Sequence, residues 1–104
     1  MAEIDARPED ARKQRLGRIS YRAWRRGFRE ADMVLGPFTD QVGPTLSDAD
    51  LDVLEHLLHE EDKDIYAWII EKEPTPAEFE TTVMAQIRTF MRNHVAAEVA
   101  KGIG

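Results

Sequence analysis

Two serines, three histidines and no cysteine make up most of the conventional nucleophiles and soft ligands of this 104-residue chain. Ser20 falls inside a predicted helix, and Ser47 stands where a helix needs a cap. Neither has an evident base, and there is no Gly-x-Ser-x-Gly elbow, phosphate loop or dinucleotide fingerprint. His56 and His59, three apart and followed by Glu60 and Glu61, can share one helix face. They lack the His-Glu-x-x-His order that makes such a pair a specific metal signal, so they read as edge histidines. His94 lies near an apolar face and reads as a boundary residue. Asp48, Asp50 and Asp52 alternate as in a calcium loop, but the central glycine and closing glutamate are missing. The residues therefore point to no catalytic group and no metal.

The remaining chemistry is charge. Nine Lys/Arg between Arg7 and Arg29 face only Glu9 and Asp10, whereas fifteen Asp/Glu between Glu30 and Glu80 face only Lys63 and Lys72. The net charge of −6 hides this dipole, whose sign changes between Arg29 and Glu30. Such asymmetry suggests partner surfaces. Arg12, Arg15, Arg22, Arg26 and Arg29, with Tyr21 and Trp24 for stacking, would form a nucleic-acid face if they aligned. The acidic balance, with a pI near 5.0, opposes that. The stretch Arg25-Arg26-Gly27-Phe28-Arg29-Glu30 sits at the sign change, with a glycine in its middle.

Helical periodicity sets the elements that position these groups. Residues 1–8 read as a flexible end bounded by Pro8. The first helix is predicted over residues 9–25, with acids in its first turn, arginines in its last, and a stripe of Leu16, Ile19, Ala23 and Trp24. Gly17 weakens its middle by about 1 kcal/mol relative to alanine, so this helix leans on packing. Gly27 suits a C-terminus that needs positive φ. A second helix over residues 28–41 is marked by Phe28, Ala31, Leu35 and Phe38, with a kink or early end expected at Gly36-Pro37 and a loop over residues 40–44. A third starts at Ser47, stapled by Leu46 and Leu51, and buries Leu51, Leu54, Leu57 and Leu58. A fourth over residues 63–71 is capped by Asp62, buries Ile65, Trp68 and Ile69, and stops at Pro74. A fifth begins at a Thr75-x-x-Glu78 capping box and runs to Gly102, about 39 Å if continuous. Its face comprises Phe79, Val83, Ile87, Phe90, His94 and Val95, and its last turns are expected to project or meet another molecule.

No segment alternates with period two. The fold class is all-α: a small five-helix bundle with a long C-terminal helix, residues 9–80 forming its main body and residues 81–104 continuing helix five. Hydrophobic residues at 42% supply one modest core. The lack of cysteine excludes disulfides and suits a reducing cytoplasm. No apolar run approaches the ~20 residues of a membrane span, and the acidic first residues are unlike a secretory leader.

Arg26-Gly27-x-x-Glu30, followed by Asp32 and Leu35, resembles the Arg-Gly-x-x-Glu signature of the FAD assembly factor family SdhE, or succinate dehydrogenase assembly factor 2. The order of other segments is similar over about residues 12–79: a basic first helix with a tyrosine, Leu35-Gly36-Pro37-Phe38, Leu46-Ser47-Asp48-Ala49-Asp50-Leu51 and Asp64-Ile65-Tyr66-Ala67-Trp68-Ile69. The resemblance implies a five-helix chaperone, not an enzyme, in a bacterial cytoplasm. Its partner would be the flavoprotein subunit of succinate dehydrogenase, or of fumarate reductase, and it would promote covalent attachment of FAD there while holding no cofactor stably itself. By position Arg26, Gly27 and Glu30 inherit the contact, flanked by Arg22, Phe28, Arg29 and Asp32. Arg26 would pair a partner carboxylate, and Glu30 would meet a partner cation or tie back Arg26 at i+4. Ala31 and Phe28 depart from the larger aliphatic and the methionine frequent in the family. The competing readings are an interaction module or antitoxin-like regulator, and a nucleic-acid binder; self-association through helix five is a further expectation.

Overall fold

The computed structural model describes residues 8–103, and the side chains of residues 9–94. Five α-helices follow in order: α1 (Pro8–Trp24), α2 (Arg29–Val42), α3 (Asp48–Leu57), α4 (Asp62–Ile69) and α5 (Thr82–Ile103). Short 3₁₀ turns at Gly43–Thr45 and Ala77–Phe79 join α2 to α3 and precede α5. There is no strand among the described residues. The N-terminal expectation for residues 1–8, and what helix five meets at its far end, lie outside the described side chains.

α2 is the central element, packed against α1, α4 and α5. It buries Ala31, Val34, Leu35, Gly36, Pro37, Phe38 and Thr39. The helix does not end at Gly36-Pro37, contrary to the expected early end, and it absorbs three of the five residues of the predicted loop. The ~3 kcal/mol cost of an interior proline is outweighed by fully burying Leu35 and Phe38, each contributing about 1.5–3 kcal/mol. Gly36 has its own reason. A Cβ there would lie 2.3 Å from the Trp24 indole, which crosses over this point. The indole Nε1 donates to Asp40 Oδ2 at 2.9 Å, and the Ser20 hydroxyl donates to the other oxygen at 2.5 Å. Thus α1 is fixed on α2 by Ile19 and Ala23 inside and by an Asp40 bridge outside.

α3 starts as predicted. Ser47 Oγ accepts from the Asp50 amide at 3.1 Å, and Leu46 and Leu51 are both buried. α4 differs at both ends. Its cap position is Glu61, and Asp62 is already helical with its carboxylate used elsewhere. At the other end the helix closes before Pro74, with Glu71 in the left-handed region at φ 60° and Lys72 N donating to Ala67 O at 2.8 Å.

The predicted capping box at Thr75 does not form. Thr75 Oγ1 accepts from Arg88 Nη2 at 2.7 Å, and Glu78 accepts from His56 Nε2 at 3.2 Å. The chain breaks at Glu80 and Thr81, and Thr81 Oγ1 caps α5 through the Met84 amide at 3.1 Å. This break turns Phe79 inward. Its ring stacks on Trp68 at 5.2 Å and on His56 at 5.1 Å. Gly102 does not end α5, which continues to Ile103 and is about 33 Å long.

Candidate functional site

The α1–α2 corner is built around a left-handed glycine. α1 stops at Trp24, and Gly27 has φ 85°, a region where a Cβ costs about 1–2 kcal/mol. No atom lies within 4 Å of a Cβ placed on Gly27, so its outer side is open. Phe28 occupies the α2 N-cap position in extended backbone and gives no side-chain cap. Asp32 compensates by reaching back: its Oδ1 accepts from the Arg26 amide at 3.1 Å, while the Asp32 amide donates to Phe28 O at 2.9 Å. The Phe28 ring is half-buried, edge-on to Tyr66 at 5.4 Å.

Arg26 turns inward. Its side chain is 9% exposed. Nε donates to the Asp62 carboxylate and Nη2 donates to the Glu60 carbonyl at 2.7 Å. It therefore ties the α1–α2 corner to the α3–α4 corner. It does not pair with Glu30, as the i+4 spacing allowed, because Gly27 and Phe28 interrupt the helix between them. Glu30 and Arg29 stand exposed in the first turn of α2, and Arg22 is exposed on α1. The Arg25 guanidinium lies over the exposed Tyr21 ring at 4.1 Å, a cation–π contact. Two shallow grooves meet at Asp62. One, about 360 Å³, is lined by Tyr21, Arg22, Arg25, Arg26 and Asp62. The other, about 520 Å³, is lined by Phe28, Glu61, Asp62 and Lys63. The result is an open saddle of mixed charge, with Arg22, Arg25, Arg26 and Lys63 beside Glu61 and Asp62.

Sequence reasoning assigned Asp62 to a helix cap and missed its role as the Arg26 partner. The available signal was the cluster Glu60-Glu61-Asp62 at a turn, which marks an acidic corner without saying which arginine reaches it. Asp40, which holds Ser20 and Trp24, lies in the stretch whose composition predicts a loop.

The five arginines of the predicted nucleic-acid face do not form one. Arg12 donates to Asp48 at 2.8 Å and to the Pro44 carbonyl at 3.3 Å. Arg15 donates to Glu55 at 3.0 Å and also pairs with Asp52. Hydrogen bonds to Glu55, then to Asp52, raise the Arg15 pKa above its ordinary value. Part of the charge dipole is thus satisfied within the fold, where Arg12 and Arg15 of α1 reach acids of α3. His56 and His59 do not converge with other ligands, and no group of three or more His, Cys, Asp or Glu able to hold a metal occurs among the described residues. His94 stacks on Phe90 at 5.7 Å.

The family Sdh5, described as flavinator of succinate dehydrogenase, matches residues 17–91. The chain is similar to the mitochondrial succinate dehydrogenase assembly factor 2 of Mycosarcoma maydis, at 35% identity over 71% of this chain and 31% of that protein. The protein of the same name from Arabidopsis thaliana is 31% identical over 71% of this chain and 39% of its own length. Succinate dehydrogenase assembly factor 2-B of Drosophila yakuba is 28% identical over 88% of this chain and 60% of its own length. The chain thus spans between 31% and 60% of the length of these relatives. The family match encloses α2, α3 and α4 whole, together with the Gly27 corner. With a five-helix fold packed around α2, the chain belongs to the family of flavinators of succinate dehydrogenase.

Proposed function

We propose that this protein binds the flavoprotein subunit of succinate dehydrogenase through the α1–α2 corner and promotes covalent attachment of FAD to that subunit. The observation that carries the reading is the family match across residues 17–91, which takes in a corner whose glycine is open on its outer side. The FAD belongs to the partner, and no bond-making step falls to a residue of this chain. Its contribution is to hold the partner's reacting groups in place, an effect of orientation. Gly27 lets the partner's surface come close, while Glu30, Arg29 and Arg22 supply exposed charge around it. Arg26 serves the site from behind by fixing the loop, so its role at the interface is to shape Gly27 and Phe28. Fumarate reductase is a second client on the same reading. The location proposed is a bacterial cytoplasm, in keeping with the absence of cysteine; the relatives are named as mitochondrial.

Deleting the gene and measuring covalent flavin on the subunit, by in-gel fluorescence, tests this. The expected outcome is loss of flavin, restored by the wild-type chain and not by Gly27→Arg. Flavin attachment unchanged by the deletion overturns the reading.

A further inference from the structure

Gly17 sits in the middle of α1, where alanine would serve the helix better by about 1 kcal/mol. Other glycines of the fold have internal reasons: Gly27 its positive φ, Gly36 the Trp24 ring, Gly43 the Leu16 side chain at 3.1 Å from a built Cβ. Gly17 has none, since no atom lies within 4 Å of its own built Cβ. Above it is a groove of about 600 Å³ lined by Gln14, Gly17, Arg18, Tyr21 and Arg22. These residues recur at the i, i+3, i+4, i+7, i+8 spacing of one helix face. Tyr21 is 61% exposed, the most exposed large hydrophobic side chain described. Arg18 and Arg22 form no ion pair among the described residues, whereas Arg12 and Arg15 on the α3-facing side are paired. Tyr21 and Arg22 also line the groove at the Gly27 corner, so the two surfaces are continuous.

We propose that this outward face of α1 is a second contact for the flavoprotein subunit, taking an acidic segment whose backbone or apolar side chain lies over Gly17. Carboxylates of that segment pair with Arg18 and Arg22, and Tyr21 packs beside it. This rests on the function proposed above. The missing Cβ admits close approach of another chain, and the exposed guanidinium groups of Arg18 and Arg22 select negative charge in bidentate geometry. A short acidic segment fits better than a nucleic acid because a protein of net charge −6 repels a long polyanion.

The test compares the full chain with Gly17→Leu and Arg18→Glu for binding to the isolated flavoprotein subunit by titration calorimetry, with melting followed in parallel. Gly17→Leu is expected to weaken binding about tenfold or more, in the range of a central contact, while its Tm stays equal or rises. A purely structural glycine would move the two readouts together. Arg18→Glu is expected to weaken binding comparably and to flatten its salt dependence. Wild-type binding matched by both variants overturns this proposal and leaves the proposed function standing. No binding by the wild-type chain overturns both. A dimer of the wild-type chain alone that Gly17→Leu dissolves overturns it in favour of a second copy. Retention of duplex DNA by the wild-type chain, lost in Arg18→Glu, overturns it in favour of nucleic acid.

Discussion

Arg26 and Glu30 belong to one short motif, yet the fold uses them in opposite directions. Replacing Arg26 by alanine removes two charge-assisted bonds, to Asp62 and to the Glu60 carbonyl, and leaves that carbonyl seeking a donor. Arg26→Ala is expected to lower unfolding stability by about 1–3 kcal/mol in urea titration. Glu30→Ala is expected to change it by less than about 0.5 kcal/mol, because Glu30 is exposed and unbonded among the described residues. If both variants lose partner binding, only the Arg26 loss should be recoverable by conditions that stabilise the fold. The sequence made the position of the motif legible through Gly27 and the change of charge sign. It did not make the inward turn of Arg26 legible, because that depends on Asp62, thirty-six residues away, and side-chain spacing speaks only for neighbours on one helix.

Helix boundaries in this chain are decided by side-chain bonds that compete for the same residues. Thr75 and Glu78 had the spacing of a capping box, but Arg88 and His56 reach them first, and the cap moves to Thr81. Thr81→Ala is therefore expected to cost about 1 kcal/mol in thermal or urea unfolding, as the loss of an N-cap does. Glu71 closes α4 in the left-handed region with a Cβ in place. Glu71→Gly is expected to raise stability by about 0.5–1 kcal/mol, read as a higher urea midpoint with an unchanged slope. The apolar stripes of α3 and α4 were readable because their periodicity coincides with burial: Leu51, Leu54, Leu57, Ile65 and Ile69 are all inside. Pro37 misled because propensity is local, whereas burial of Leu35 and Phe38 is a property of the assembled core.

At the scale of the molecule, part of the contrast between the basic run and the acidic run after it is an internal complementarity, made by Arg12, Arg15 and Arg26. Arg12 and Arg15 of α1 meet Asp48, Asp52 and Glu55 of α3. A double-mutant cycle on Arg15→Ala and Glu55→Ala is expected to give a coupling of about 0.5–1 kcal/mol, diminished by 1 M salt, since the pair is only partly shielded from water. The five-helix class was legible from periodicity alone, while the pairing of α1 arginines with α3 acids required knowing which side chains come within reach. The two tryptophans divide the molecule in the same way. Trp68 is buried and stacked on Phe79 between α4 and α5, and Trp24 lies part-exposed over Gly36 with its indole N–H on Asp40, three residues from Gly27. Emission from the two indoles is thus a built-in optical probe. With Trp68 replaced by phenylalanine, the fluorescence of Trp24 alone would report docking at the corner, and with Trp24 replaced, that of Trp68 would report the integrity of the α4–α5 packing.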